Sequence, residues 1–208
     1  MSAAAADTAV ASSAAAAVAV AAASPAPAMR AAFSATGHDG FAAFSRRRTQ
    51  VALLAHIYLR MDRVDLAQKQ LRVMHAADED AALTQLTTAW VHVATGGKHY
   101  REAAYIFDEL IDKHQGSPLL LNGLAIAKMH MGEFNEAESA LVEAASKSQG
   151  DADTLINLIC CYRHLDKPAS FIDRYSAQLR AAHPAHPYVV GLNNVESAFA
   201  RVAATFAA

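Results

Sequence analysis

A basic surplus is the first thing this sequence lacks: 18 Lys and Arg stand against 20 Asp and Glu, for a formal net charge of −2. A protein that lives on phosphate contacts shows a basic stripe or surplus, so the charge balance argues against a nucleic-acid binder. Long apolar runs are missing too. No stretch reaches the roughly 18 strongly apolar residues of a spanning helix, and the 53% hydrophobic fraction is inflated by Ala. Cysteine is scarce. The two present, Cys160 and Cys161, are neighbours, and on a helix their side chains diverge by about 100°, which leaves a strained disulfide. Both are expected to be free thiols in a reducing compartment.

Catalytic and cofactor signatures are absent as well. Gly97-Lys98 invites a phosphate-loop reading, but His99 stands where Ser or Thr is needed and His92 where the first Gly belongs. A helix-ending turn explains both glycines, Gly96 and Gly97. The ten histidines are scattered, without HExxH or a Cys/His ligand set. His183 and His186 flank prolines and read as a punctuated turn. No nucleophile elbow, dinucleotide loop or carboxylate pair is visible. The expectation is a protein that is not an enzyme and holds no cofactor or metal.

What the sequence does have is a beat. Tyr100-Arg101-Glu102-Ala103 with Phe107 returns 34 residues later as Phe134-Asn135-Glu136-Ala137 with Leu141, and Trp90 becomes Leu124. A weaker third statement turns Leu121 and Leu124 into Leu155 and Leu158, and Phe107 and Leu141 into Tyr175. A period of this length is the tetratricopeptide signature, two antiparallel helices per unit. The fold class is therefore all-α, a right-handed solenoid of helix pairs. Ala103 and Ala137 mark the closest approach of paired helices, where bulk is excluded. Gly132 suits a left-handed helix end. Ser117-Pro118 and Asp166-Lys167-Pro168 read as helix starts, a capping side chain with Pro in the first turn.

Taken in order, residues 1–46 are an Ala-rich low-complexity head with Pro25 and Pro27. It has almost no large side chains with which to build a core and is expected to be a disordered tail. A transit peptide is the alternative, since the head is rich in Ala and Ser, poor in acids and followed by Arg46-Arg47-Arg48. The Arg triplet reads as a solvated helix start. Residues 47–208 form the repeat domain, with units at about 47–80, 81–116, 117–151 and 152–182. In the first unit, Val51, Leu54, Ala55 and Tyr58 mark one apolar face, and Val64, Ala67, Leu71 and Met74 the next. The acidic run Asp78-Glu79-Asp80 sits where a helix dipole favours it, ahead of Ala81. The fourth unit is degenerate, with Phe171 in the Ala position. A last helix over 187–206 carries Tyr188, Leu192, Val195, Phe199, Val202 and Phe206 in one stripe. It is expected to cap the open end.

In such a superhelix the first helix of each unit lines the inner wall. The register places His56, Leu59, Thr88 and His92 there, then Asn122, Ile126 and Met129, then Ile156, Cys160 and Arg163. This mixed wall suits a protein segment with hydrophobic anchors and backbone groups to offer, such as an extended strand or hairpin. The candidate partner-binding residues are His92, Asn122, Ile126, Met129, Ile156, Cys160 and Arg163. Ile126 and Ile156 fit an inter-repeat core equally well. A clamp for C-terminal carboxylates would need a ladder of Lys and Asn, of which only Asn122, Arg60 and Arg163 are available.

A more specific match comes from the strings MDRVDLAQKQL, DEDAALTQLTTAWVHVATGG, YREAAYIFDEL, SPLLLNGLAIAKMHMGEFNEAESAL, DTLINLICCYRHLDKP and AAHPAHPY. They resemble, in order and over roughly residues 50–190, the epsilon subunit of coatomer, the COPI vesicle coat. The resemblance implies a non-enzymatic coat component, in the cytosol and peripherally on Golgi membranes and COPI-coated vesicles. It implies that the partner is the C-terminal domain of coatomer's alpha subunit, clasped and stabilised within the alpha, beta-prime and epsilon subassembly. Other coatomer subunits are then met indirectly, and the pathway is Golgi-to-ER retrieval and intra-Golgi transport. Members of that family carry further helical repeats ahead of the matched segment, where this chain has its Ala-rich head. Either the copy is shortened or its start is not the natural one. The competing class is a generic repeat adaptor, such as a cochaperone or an organelle import component.

Overall fold

The structure is a computed structural model that describes residues 39–206. The readings of the Ala-rich head as a tail or a transit peptide fall mostly outside the described residues. Nine α-helices and no strand occur among them: α1 Asp39–Arg60, α2 Val64–Ala77, α3 Ala82–Thr95, α4 His99–His114, α5 Pro118–His130, α6 Phe134–Lys147, α7 Ala152–His164, α8 Ala169–Ala182 and α9 Pro187–Phe206. The first eight pack as successive hairpins, α1 with α2, α3 with α4, α5 with α6 and α7 with α8. The second helix of each pair also packs on the first helix of the next, which makes a helical solenoid.

Local chemistry sets each hairpin. The turn inside every pair contains left-handed residues: Asp62, Gly96 and Gly97, Gly132, and Asp166. Glycine takes that conformation at no steric cost, and Asp is among the few other residues that tolerate it. Asp166 is therefore a turn residue, not the cap of the next helix, and the residue before α8 is Pro168 with no side-chain cap. Ser117 does cap, accepting from the Leu120 N–H at the start of α5. Asp151 does the same for α7, accepting from the Thr154 N–H at 3.0 Å.

Close packing follows the repeat. Ala103 and Ala137 are fully buried, as are Phe107 and Leu141. Trp90 meets Phe107 edge to face at a ring-centroid distance of 5.3 Å. The core is a relay of clusters. Ala67, Leu71 and Val91 join the first two pairs, Trp90, Phe107 and Ile126 the second and third, and Leu141, Leu158 and Tyr162 the third and fourth.

Three local readings change. Helix α1 begins at Asp39, ahead of the expected start at 47. Arg48 consequently sits within it, largely buried, and forms an ion pair with Asp78 at 2.6 Å. The buried face of α1 is Ala52 and Ala55, while Leu53, Leu54 and Ile57 are exposed. Only the first turn of α9 is seated: Val189 is buried and Tyr188 packs beside it against Leu155, Ile156, Ile159 and Leu179. An Arg180–Glu196 ion pair ties the helix further along. Val195, Phe199, Val202 and Phe206 stay exposed, so the stripe does not lie on the stack.

Candidate functional site

In a curved stack, next-nearest helices can touch only on the tighter wall. The first helices do so here: α1 reaches α3, α3 reaches α5, and α5 reaches α7. These four helices are thus the inner row, and the closeness that defines it also hides part of its surface. Asn122, Ile126 and Ile156 are buried. Ile126 and Ile156 lie in core clusters, the alternative their register also allows, and Asn122 bonds across to α7. Met129 and Cys160 are partly buried, Met129 against the second and third clusters and Cys160 against the last. His92 is half-buried, and Arg163 is exposed.

Asn122 anchors a buried polar network. Its amide donates to the Pro118 carbonyl at 2.9 Å and to Thr154 Oγ1 at 2.8 Å. Its side-chain oxygen accepts from Asn157 Nδ2 at 2.9 Å. The Thr154 hydroxyl in turn donates a hydrogen bond to the Asp151 carboxylate at 2.7 Å. The chain of bonds joins α5 to α7, satisfies the buried Asn and Thr groups it contains, and fixes the register of the two helices.

A second device went unread in the sequence. Tyr100, at the start of α4, stacks on His130, at the end of α5, with centroids 4.4 Å apart and planes 3° from parallel. Phe134 stacks on His164 in the same way at 4.6 Å. The signal was present, because His130 and His164 are themselves one repeat apart. Burial pushes the His130 pKa down, which keeps the stacked ring neutral.

The turn of the second hairpin gathers a third group. His99 Nδ1 lies 2.7 Å from Glu102 Oε2, and His92 Nδ1 lies 3.5 Å from the same oxygen. Burial also lowers the His92 pKa. At the third turn, Lys128 bonds to both Glu133 and Glu136, which raises its pKa well above the usual lysine value. Neither cysteine is in a disulfide. Burial pushes the Cys161 thiol up to about 11, and it donates to the Phe134 carbonyl. A thiol held protonated in this way is a packing group and not a nucleophile.

Stacked helical hairpins with a mixed inner wall define a helical-repeat scaffold. Comparison with known proteins narrows this. The chain belongs to the coatomer epsilon subunit family, whose model matches residues 3–207. It is 45% identical over 150 residues to coatomer subunit epsilon-1 of Oryza sativa subsp. japonica, covering 72% of this chain and 51% of that protein. It is 44% identical over 156 residues to coatomer subunit epsilon-1 of Arabidopsis thaliana, covering 75% and 52%. To coatomer subunit epsilon of Dictyostelium discoideum it is 37% identical over 150 residues, covering 72% and 50%. The chain spans about half the length of the curated relatives it matches. The family is one of coat subunits and not of enzymes.

Proposed function

We propose that this chain is a structural subunit of the COPI coat whose inner wall grips the C-terminal domain of coatomer's alpha subunit. The observation that carries the reading is membership of the coatomer epsilon subunit family over nearly the whole chain. The accessible part of the wall supports it. Arg163 is exposed at the end of α7, and Met129, Cys160 and His92 present partial surface on α5, α7 and α3. A planar guanidinium beside partly apolar surface is the kind of anchor that dominates protein interfaces. Contact with other coatomer subunits then runs through alpha. The chain acts on the cytosolic face of Golgi membranes and COPI vesicles, in Golgi-to-ER retrieval and intra-Golgi transport. No described helix is long and apolar enough to cross a membrane. A cochaperone-type carboxylate clamp is the weaker reading, because the Asn122 amide such a clamp would use already bonds Pro118 and Thr154.

The test is co-expression with the alpha subunit's C-terminal domain, followed by size exclusion. The two chains should co-elute, and Arg163→Glu should weaken the complex by about 2 kcal/mol or more while leaving the melting temperature unchanged. Wild-type protein eluting alone overturns the reading. A complex that tolerates Arg163→Glu moves the contact away from the end of α7.

A further inference from the structure

We propose that His92, His99 and Glu102 form a binding site for one divalent transition-metal ion of the Zn2+ type. The site bridges the last turn of α3 and the first turn of α4. The three ligand atoms, one from each residue, lie within 4.8 Å of one another. Zinc bonds to His nitrogen and carboxylate oxygen of about 2.0–2.2 Å put the ligands of one tetrahedron about 3.3–3.5 Å apart. The 3.5 Å from His92 Nδ1 to Glu102 Oε2 already has that spacing. The 2.7 Å contact between His99 Nδ1 and the same oxygen would open by a fraction of an ångström as an ion replaced the shared proton.

The sequence builds this convergence in a definite way. His92 and His99 are separated by the Gly96-Gly97 turn, both of whose glycines have positive φ, 79° and 63°. The Gly96 N–H caps α3 by donating to the His92 carbonyl at 3.0 Å, and the His99 N–H returns to the Gly96 carbonyl at 3.3 Å. Those bonds bring the His99 ring within 5.2 Å of the His92 ring. Glu102 follows three residues after His99 and so shares its helix face. Tyr100, between His99 and Glu102, stacks on His130 instead of joining the cluster.

A second observation sets this cluster apart from an ordinary helix-start ion pair. His92 Nδ1 is buried and has no hydrogen-bond partner. A buried polar atom without a partner costs about 1–3 kcal/mol, and this one is aimed at the carboxylate that His99 already holds. His99 holds the carboxylate at hydrogen-bond distance, whereas His92 Nδ1 stands 3.5 Å from it, and a cation between the rings and the carboxylate would satisfy both. A cation does this with a ligand set of two neutral imidazoles and one carboxylate, and that donor set suits Zn2+. Three protein ligands leave a fourth position for water or an outside donor, and the exposed flank of Glu102 gives access to it. Lys98 lies close enough to act on Glu102, and its charge opposes the ion.

The experiment is calorimetric titration of the tag-free 208-residue chain with zinc chloride, paired with Co2+ absorption and thermal melts. The wild type should bind one equivalent, raise its melting temperature and give a tetrahedral Co2+ spectrum. His99→Asn and Glu102→Gln, both at the helix surface, should each weaken binding at least about tenfold, as losing a direct ligand exceeds the usual outer-shell loss. His114→Asn should bind as the wild type does. His92→Asn is read by binding if it folds; if it does not, the two surface variants decide the matter. No saturable binding by the wild type overturns the proposal. So does a double His99→Asn, Glu102→Gln variant that binds as tightly as the wild type.

Discussion

At Gly123 the usual sign of a glycine-to-alanine change in a helix is reversed. Such a change ordinarily stabilises by roughly 0.5–1 kcal/mol, because Ala loses less backbone freedom on folding. Here a Cβ would lie 2.4 and 2.5 Å from two carbons of the Phe107 ring. Phe107 is fully buried against Trp90 and cannot swing away. Gly123→Ala is therefore expected to destabilise by about 1–3 kcal/mol. Urea denaturation checks the sign; a variant as stable as the wild type would show that the Phe107 ring has room to move. The sequence displays Gly123 within the LLLNG string but not the reason for it, because Phe107 belongs to the preceding hairpin. Asn122 beside it is covered for a related reason. Helical register names the face a residue occupies, and it does not say that the next inner helix covers that face.

Elements were more legible than their contacts. The 34-residue beat located the small residues at the helix crossings and the left-handed turn at Gly132, since both are demanded within one hairpin. The start of α1 was hidden by Ala, which supports a helix without marking where it begins. Helix α9 was readable as an amphipathic helix, yet its stripe does not state where it packs. Only Val189 of that helix is buried, whereas Phe199 is 74% exposed. Val189→Asp should thus lower the melting temperature by several degrees, because it buries a carboxylate among Ile156, Ile159 and Leu179. Phe199→Asp should change stability by no more than about 0.5 kcal/mol, as an exposed substitution does. Circular dichroism melts on the pair decide it. Equal losses would mean that the far half of α9 folds back onto the stack.

Among the described residues the core is a relay in which successive hairpins are joined by shared clusters. Stability in such an array is a sum of unit terms and nearest-neighbour interfaces, so damage should stay local. Ala137 offers the cleanest place to test this. It is fully buried and packs with Ala125 of α5 and Leu158, Cys161 and Tyr162 of α7, joining the third and fourth hairpins. Ala137→Trp overpacks that junction at a cost of roughly 1–3 kcal/mol or more. Native-state hydrogen exchange should then lose protection across α5, α6, α7 and α8. Helix α2, held by Ala67, Leu71 and Met74 and remote from the junction, should keep its own. Equal loss in α2 would make the chain one cooperative unit and defeat the relay. Unchanged protection around α6 would mean that Ala137 is not at a closest approach, and the repeat register would have to be redrawn.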